Sequence, residues 1–152
     1  MRSTLLSLLA LAATLVPLVA ACNSQEPAVD FVPRELRGRW VLSELEGADL
    51  TDLDLNGVRR PEILIDAEGS LSGFGGVNRI GSSLDLDVLG LQTWVLSPVA
   101  STMMAGEPEA MKLESRFNQA LQDARRYRLD GKVLLILEDE AGERLMVLSR
   151  QG

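Results

Sequence analysis

The chain has 152 residues, a net charge of −7, no histidine and a single cysteine. Those counts exclude a Ser-His-Asp triad, a histidine-ligated metal, a cysteine-rich zinc site and any intramolecular disulfide. The acidic balance also opposes nucleic-acid phosphates, so no nucleic-acid partner is expected.

The chain opens with Met1-Arg2-Ser3-Thr4, and an uncharged apolar run follows from Leu5 to about Val19. The run is shorter than the roughly 20 residues a membrane-spanning helix needs. Pro17 interrupts it, which suits a processed segment. Val19, Ala20 and Ala21 then precede Cys22, placing small side chains at a cleavage site between Ala21 and Cys22. Leu15-Val16-Pro17-Leu18-Val19-Ala20-Ala21-Cys22 resembles the lipobox of bacterial lipoproteins, whose cysteine becomes the acylated N-terminus. The weaker alternative is a plain secreted protein with a free Cys22. The resemblance implies a membrane anchor through acyl chains on Cys22. By the same resemblance, a residue other than Asp after the cysteine, here Asn23, implies transfer to the outer membrane of a Gram-negative bacterium, facing the periplasm. Residues 1–21 are thus expected to be a lipoprotein signal peptide and 22–35 a lipidated tether. Residues 36–152 remain as one folded domain, long enough to bury a core.

Within that domain, Trp40–Leu45 is rich in β-forming residues and reads as a strand. Glu46–Asn56 is acidic and turn-prone. Asp52-Leu53-Asp54-Leu55-Asn56-Gly57 matches the opening of a calcium loop, but the match then fails. Ile63 stands where a bidentate glutamate is needed, and Arg59 and Arg60 repel a cation. A solvated acidic loop is the better reading, so no metal site is expected. Glu62–Asp66 and Ser70–Phe74 form a hairpin about Ala67-Glu68-Gly69. Gly73, Gly75, Gly76 and Gly81 then crowd a stretch interleaved with Phe74, Val77 and Ile80. That pattern predicts positive φ, a bulge or close backbone approach. It lacks the Gly-Lys-Ser/Thr ending of a phosphate cradle.

Ser83-Leu84-Asp85-Leu86-Asp87 alternates polar and apolar residues, predicting a half-buried strand. Gly90–Leu96 reads as another, and Val99–Met104 as an extended apolar segment. Asp85 and Asp87 would share a strand face, where paired acids are usually the wet side of a sheet. Glu107 to about Ala124 is the one helix expected. Pro108 sits in its first turn, and Ala110, Leu113, Phe117, Ala120, Leu121 and Ala124 form an apolar stripe. A three-stranded meander should end the chain, turning at Asp130-Gly131 and again at Glu138–Gly142. The fold class is α+β: a strongly curved, mostly antiparallel sheet of seven to eight strands, an open barrel around one late helix. Met103 and Met104 with Leu113 and Phe117 would either pack ordinarily or line an apolar-ligand pocket.

Ser72-Gly73-Phe74-Gly75-Gly76-Val77-Asn78-Arg79 resembles the glycine-rich "SGxxGCN" signature of META-domain (HslJ-like, DUF306) proteins. Ser97-Pro98-Val99-Ala100-Ser101-Thr102-Met103-Met104-Ala105 is similar to the family's "PxAxTxMAC" segment. The likeness runs from about Arg37 to Ser149. It marks Gly73, Gly76, Asn78, Thr102 and Met104 as structural motif positions. Relatives often carry cysteine where this chain has Val77, and again near Gly106; joint absence is what contact between those positions would produce. The resemblance implies a small envelope domain, often in lipoproteins, associated with heat-shock response and antibiotic tolerance. Its fold is similar to that of secretin pilot lipoproteins. No catalytic residue and no cofactor carry over. The expected function is a non-enzymatic envelope lipoprotein that binds or stabilises an unknown envelope protein. Periplasmic lipid or apolar-ligand binding, or a secretin-pilot-like role, is the alternative.

Overall fold

The computed structural model describes residues 32–50 and 59–152. Ala21, Cys22, nearly all of the expected tether and the Asp52–Gly57 motif lie outside the described residues. Among those described, the elements run β1 (Gly38–Leu45), β2 (Ala48–Asp49), β3 (Glu62–Ile65), β4 (Ser70–Phe74), β5 (Arg79–Ser83) and α1 (Leu86–Leu89). Then follow β6 (Ala100–Ser101), α2 (Pro108–Asp123), β7 (Arg126–Asp130), β8 (Leu134–Glu138) and β9 (Arg144–Arg150).

One antiparallel sheet carries them in the order β6-β5-β4-β3-β1-β9-β8-β7, with β2 paired to β1. Short turns dictate most of this order, because neighbours joined by a few residues pair antiparallel. β1 holds the two halves together. It pairs with β3 on one side and β9 on the other. Ser43 falls where the β1–β9 register shifts, and its hydroxyl donates to the Val147 carbonyl at 3.0 Å. A bulge of this kind bends a strand and increases its twist. The sheet is open and antiparallel and is accompanied by one long helix, α2, an α+β fold of the class expected from sequence, with nine strands among the described residues where seven to eight were expected.

The core lies between the sheet and the helix. Trp40, Ile63, Leu71, Leu135 and Leu148 meet Phe117 and Leu121 there, all essentially inaccessible to water. Each large side chain so buried contributes roughly 1.5–3 kcal/mol. Val32 and Leu36 are buried in the same cluster, so the folded unit takes in the chain from Val32 on. α2 follows its expected span, with Pro108 at the start. At its other end the Arg125 guanidinium donates to the carbonyls of Gln122 and Ala124, at 2.6 and 2.8 Å.

The stretch between β5 and β6 corrects the sequence reading. Ser83–Asp87 is not a strand beyond Ser83. Asp85 caps α1 instead, its carboxylate accepting from the Asp87 N–H at 3.1 Å. Asp85 and Asp87 therefore do not form a pair on one strand face. Gly90–Leu96 is not a strand either. It turns at Gln92, which adopts a positive φ of 60°, and then crosses between the two sheet edges. Leu96 bridges to Leu84, and Thr93 bridges to Arg126, the first residue of β7. Trp94 N–H donates to Arg125 at 2.7 Å, and Tyr127 N–H to Gln92 at 3.0 Å. Residues 92–97 thus strap the open side of the sheet. Trp94 plugs it from within, fully buried, with its indole N–H on the Leu121 carbonyl and its ring edge-on to Tyr127.

Candidate functional site

Three segments distant in sequence converge at the start of α2. The first is the β4–β5 turn, Gly75-Gly76-Val77-Asn78, closed by Gly75 N–H donating to the Asn78 carbonyl at 2.8 Å. The second is the segment Thr102–Met104 beyond β6. The third is the helix face carrying Glu114. That residue occupies the core stripe between Ala110 and Phe117 and is only 9% exposed.

Burying a carboxylate is costly unless donors replace water. Here the turn supplies them. The N–H groups of Val77 and Asn78 donate to Oε2 of Glu114 at 2.9 and 2.5 Å. The Asn78 side-chain amide donates to Oε1 at 2.8 Å. Burial pushes the Glu114 pKa up, but the hydrogen bonds from the Asn78 amide, the Asn78 N–H and the Val77 N–H outweigh it. The group is held below its ordinary 4.5 and stays ionised.

Asn78 passes the linkage on. Its Oδ1 accepts from the Thr102 hydroxyl at 2.8 Å and from the Met104 N–H at 2.7 Å. Its Nδ2 also reaches the Met104 carbonyl at 3.2 Å. Asn78 is itself buried, so one amide joins turn, loop and helix with both ends satisfied. Thr102 is fixed in turn by Arg79, whose N–H donates to its hydroxyl and whose carbonyl accepts from its N–H.

The glycines explain how the turn comes so close. A Cβ on Gly75 would lie 2.8 Å from Cγ of Glu114, and Gly76 has φ +135° with the Ala110 carbonyl 3.2 Å from a Cβ position. Gly73 belongs elsewhere. It lies in β4, against the Glu62 carbonyl of β3 at 2.2 Å from any Cβ. Of the motif positions singled out in the sequence, Gly76, Asn78, Thr102 and Met104 thus meet at one place, and Gly73 sets strand contact outside it. Glu114 is the residue that sequence reasoning missed. Its signal was an acid inside an otherwise apolar helical stripe.

Val77 and Gly106 are in contact. A Cβ on Gly106 would sit 2.7 Å from both Val77 methyl groups. Other expectations fail. Met103 is 99% exposed and Met104 57%, whereas Phe117 is completely buried in the filled core. These residues do not enclose an apolar-ligand cavity. The Ser97 hydroxyl pairs with that of Ser83 at 2.7 Å. Among the described residues no cluster of acids could hold a metal ion, and no helix is long and apolar enough to cross a membrane.

The META domain family model matches residues 34–152. Among solved structures, one protein studied by NMR superposes with a TM-score of 0.54 at 20% identity. It covers 75% of this chain and 88% of that one. An NMR structure of a protein from Burkholderia xenovorans gives 0.56 at 20% identity, covering 75% of this chain and 81% of the other. At that identity the likeness is one of fold. No curated protein matches the chain.

Proposed function

The chain belongs to the META domain family, and from that premise we propose that it is a non-enzymatic envelope lipoprotein, anchored through Cys22. Its domain binds or stabilises a partner in the periplasm or outer membrane. The observation that carries this reading is the hydrogen-bonded state of Glu114. Its carboxylate is ionised and held at both oxygens by three N–H donors, which suits a clamp between segments rather than an acid or base. A domain so stiffened suits presentation of a fixed surface. The lipobox-like segment ending at Cys22 supports the anchored location. Tethering raises the effective concentration of such a surface near membrane partners. A role in envelope stress or antibiotic tolerance is the physiological setting this reading favours.

Metabolic acyl labelling of the parent and of Cys22→Ser tests the anchor. Label in the parent and none in the variant is the expected result; label in both overturns it. Crosslinking in intact envelopes tests the partner. Recovery of one protein in stoichiometric yield is expected, and recovery of nothing above background counts against the binding role.

A further inference from the structure

The outer face of β3–β5 carries a hollow of about 550 Å3, separate from the Glu114 clamp. Two cross-strand rows build it. One runs Val41–Glu62–Phe74–Arg79 and the other Arg39–Leu64–Ser72–Gly81. Their alternating neighbours Trp40, Ile63, Leu71 and Ile80 are buried, so both rows face outward. Ser72 in the second row projects little, and the surface dips there between the longer side chains. Leu64, half exposed, forms part of an apolar floor with Phe74.

Arginines rim this floor. Arg39 donates to Oε1 of Glu62 at 2.7 Å, and Arg59 pairs with the same oxygen while lying 4.8 Å over the Phe74 ring. Among the described residues the Arg79 guanidinium has no carboxylate partner. Three arginines thus face one glutamate in a chain whose overall charge is −7. Among the described residues the hollow carries a local excess of two positive charges on an acidic protein.

We propose that this hollow binds a phosphate monoester carried on a small apolar body. Such a group bears about −1.5 to −2 charges at pH 7, which matches the local excess. Guanidinium groups meet phosphate oxygens two at a time, and each arginine here uses few of its five donors. The volume falls within the roughly 300–1,000 Å3 of small-molecule sites, larger than phosphate alone requires. The remaining space lies over Leu64 and Phe74, where an apolar ring or chain would exclude water. The acidic remainder of the chain repels extended anionic surfaces, which favours a soluble monoester over a lipid headgroup.

Calorimetric titration of the full chain with phenyl phosphate and with inorganic phosphate is the test. One saturable site is expected for phenyl phosphate, with inorganic phosphate weaker. Arg79→Ala should weaken phenyl phosphate at least about tenfold, because it removes a charge-assisted pair. Ser72→Leu, at an exposed position lining the hollow, should abolish binding by filling the dip. No saturation below about 10 mM, or unchanged affinity in Arg79→Ala, overturns the proposal. Sedimentation with vesicles containing phosphatidic acid, a lipid phosphate monoester, separates the two sources of phosphate. Arg79-dependent vesicle binding that phenyl phosphate displaces assigns a lipid headgroup. Phenyl phosphate binding without it assigns a soluble monoester.

Discussion

Asn78 grips Glu114 twice, through its backbone N–H at 2.5 Å and its side-chain amide at 2.8 Å, across 36 residues of sequence. That double contact joins the sheet turn to the core face of α2. Glu114→Ala would leave three buried donors without an acceptor. Each such donor costs about 1–3 kcal/mol, and partial relaxation brings the expected loss to about 3 kcal/mol. A fall in Tm of about 10 °C should follow for a domain of this size. Thermal melts by circular dichroism measure it. A Tm within about 3 °C of the parent would show that the clamp holds little.

The ionised state of Glu114 also makes stability depend on pH. Its folded pKa lies below the ordinary 4.5, so the unfolded chain binds the proton more readily. The stabilisation is therefore present in full above the unfolded value and is lost as pH falls through the lowered folded one. Glu114→Gln lacks this term at every pH. Urea midpoints of parent and variant should differ by a constant amount near neutrality and converge below pH 4.5. A gap that stays constant down to acid unfolding would assign the stabilisation to another group.

Glycine positions in the signature stretch should differ sharply in their tolerance of alanine. At Gly73 the added carbon would sit 2.2 Å from the Glu62 backbone carbonyl, and at Gly75 2.8 Å from Cγ of Glu114. At Gly81 the nearest atom is 4.0 Å away. Overpacking typically costs about 1–3 kcal/mol, so Gly73→Ala and Gly75→Ala should fall in or above that range. Gly81→Ala should stay within about 0.5 kcal/mol of the parent. Urea denaturation of the three variants gives the order directly. Equal stability at Gly73 and Gly81 would contradict the close strand approach.

These contrasts also show which parts of the molecule are legible locally. The β3–β4 hairpin and α2 announce themselves, because turn residues 67–69 and Pro108 act within a few positions. The strap at 92–97 does not. Ser83–Asp87 has a two-residue alternation, but it is equally an Asp85 cap followed by Leu86 and Leu89 three apart. Gly90–Leu96 has strand-forming residues, yet Gln92 at positive φ and pairings to Leu84 and Arg126 decide its course. Those pairings are fixed by tertiary structure rather than propensity. Glu114 was hidden for the same reason. An acid reads as a surface residue until the donors that bury it, 36 and 37 positions away, are brought beside it.

The contact between Val77 and Gly106 gives the last prediction. The Cβ position of residue 106 lies 3.3 Å from Cβ of Val77, slightly under the separation of about 3.5–4.5 Å that a disulfide adopts. Gly106 has no positive φ that would oppose a side chain. Val77→Cys with Gly106→Cys, made together with Cys22→Ser to prevent mispairing, should therefore oxidise to a disulfide after a small local shift. The bridge would close a loop of about 30 residues and stabilise the oxidised form by about 3–4 kcal/mol on chain-entropy grounds. Thiol titration and paired melts with and without reductant provide the readout. Two free thiols after exposure to oxidant, or a Tm indifferent to reductant, would show that the two positions are not held together as the structure places them.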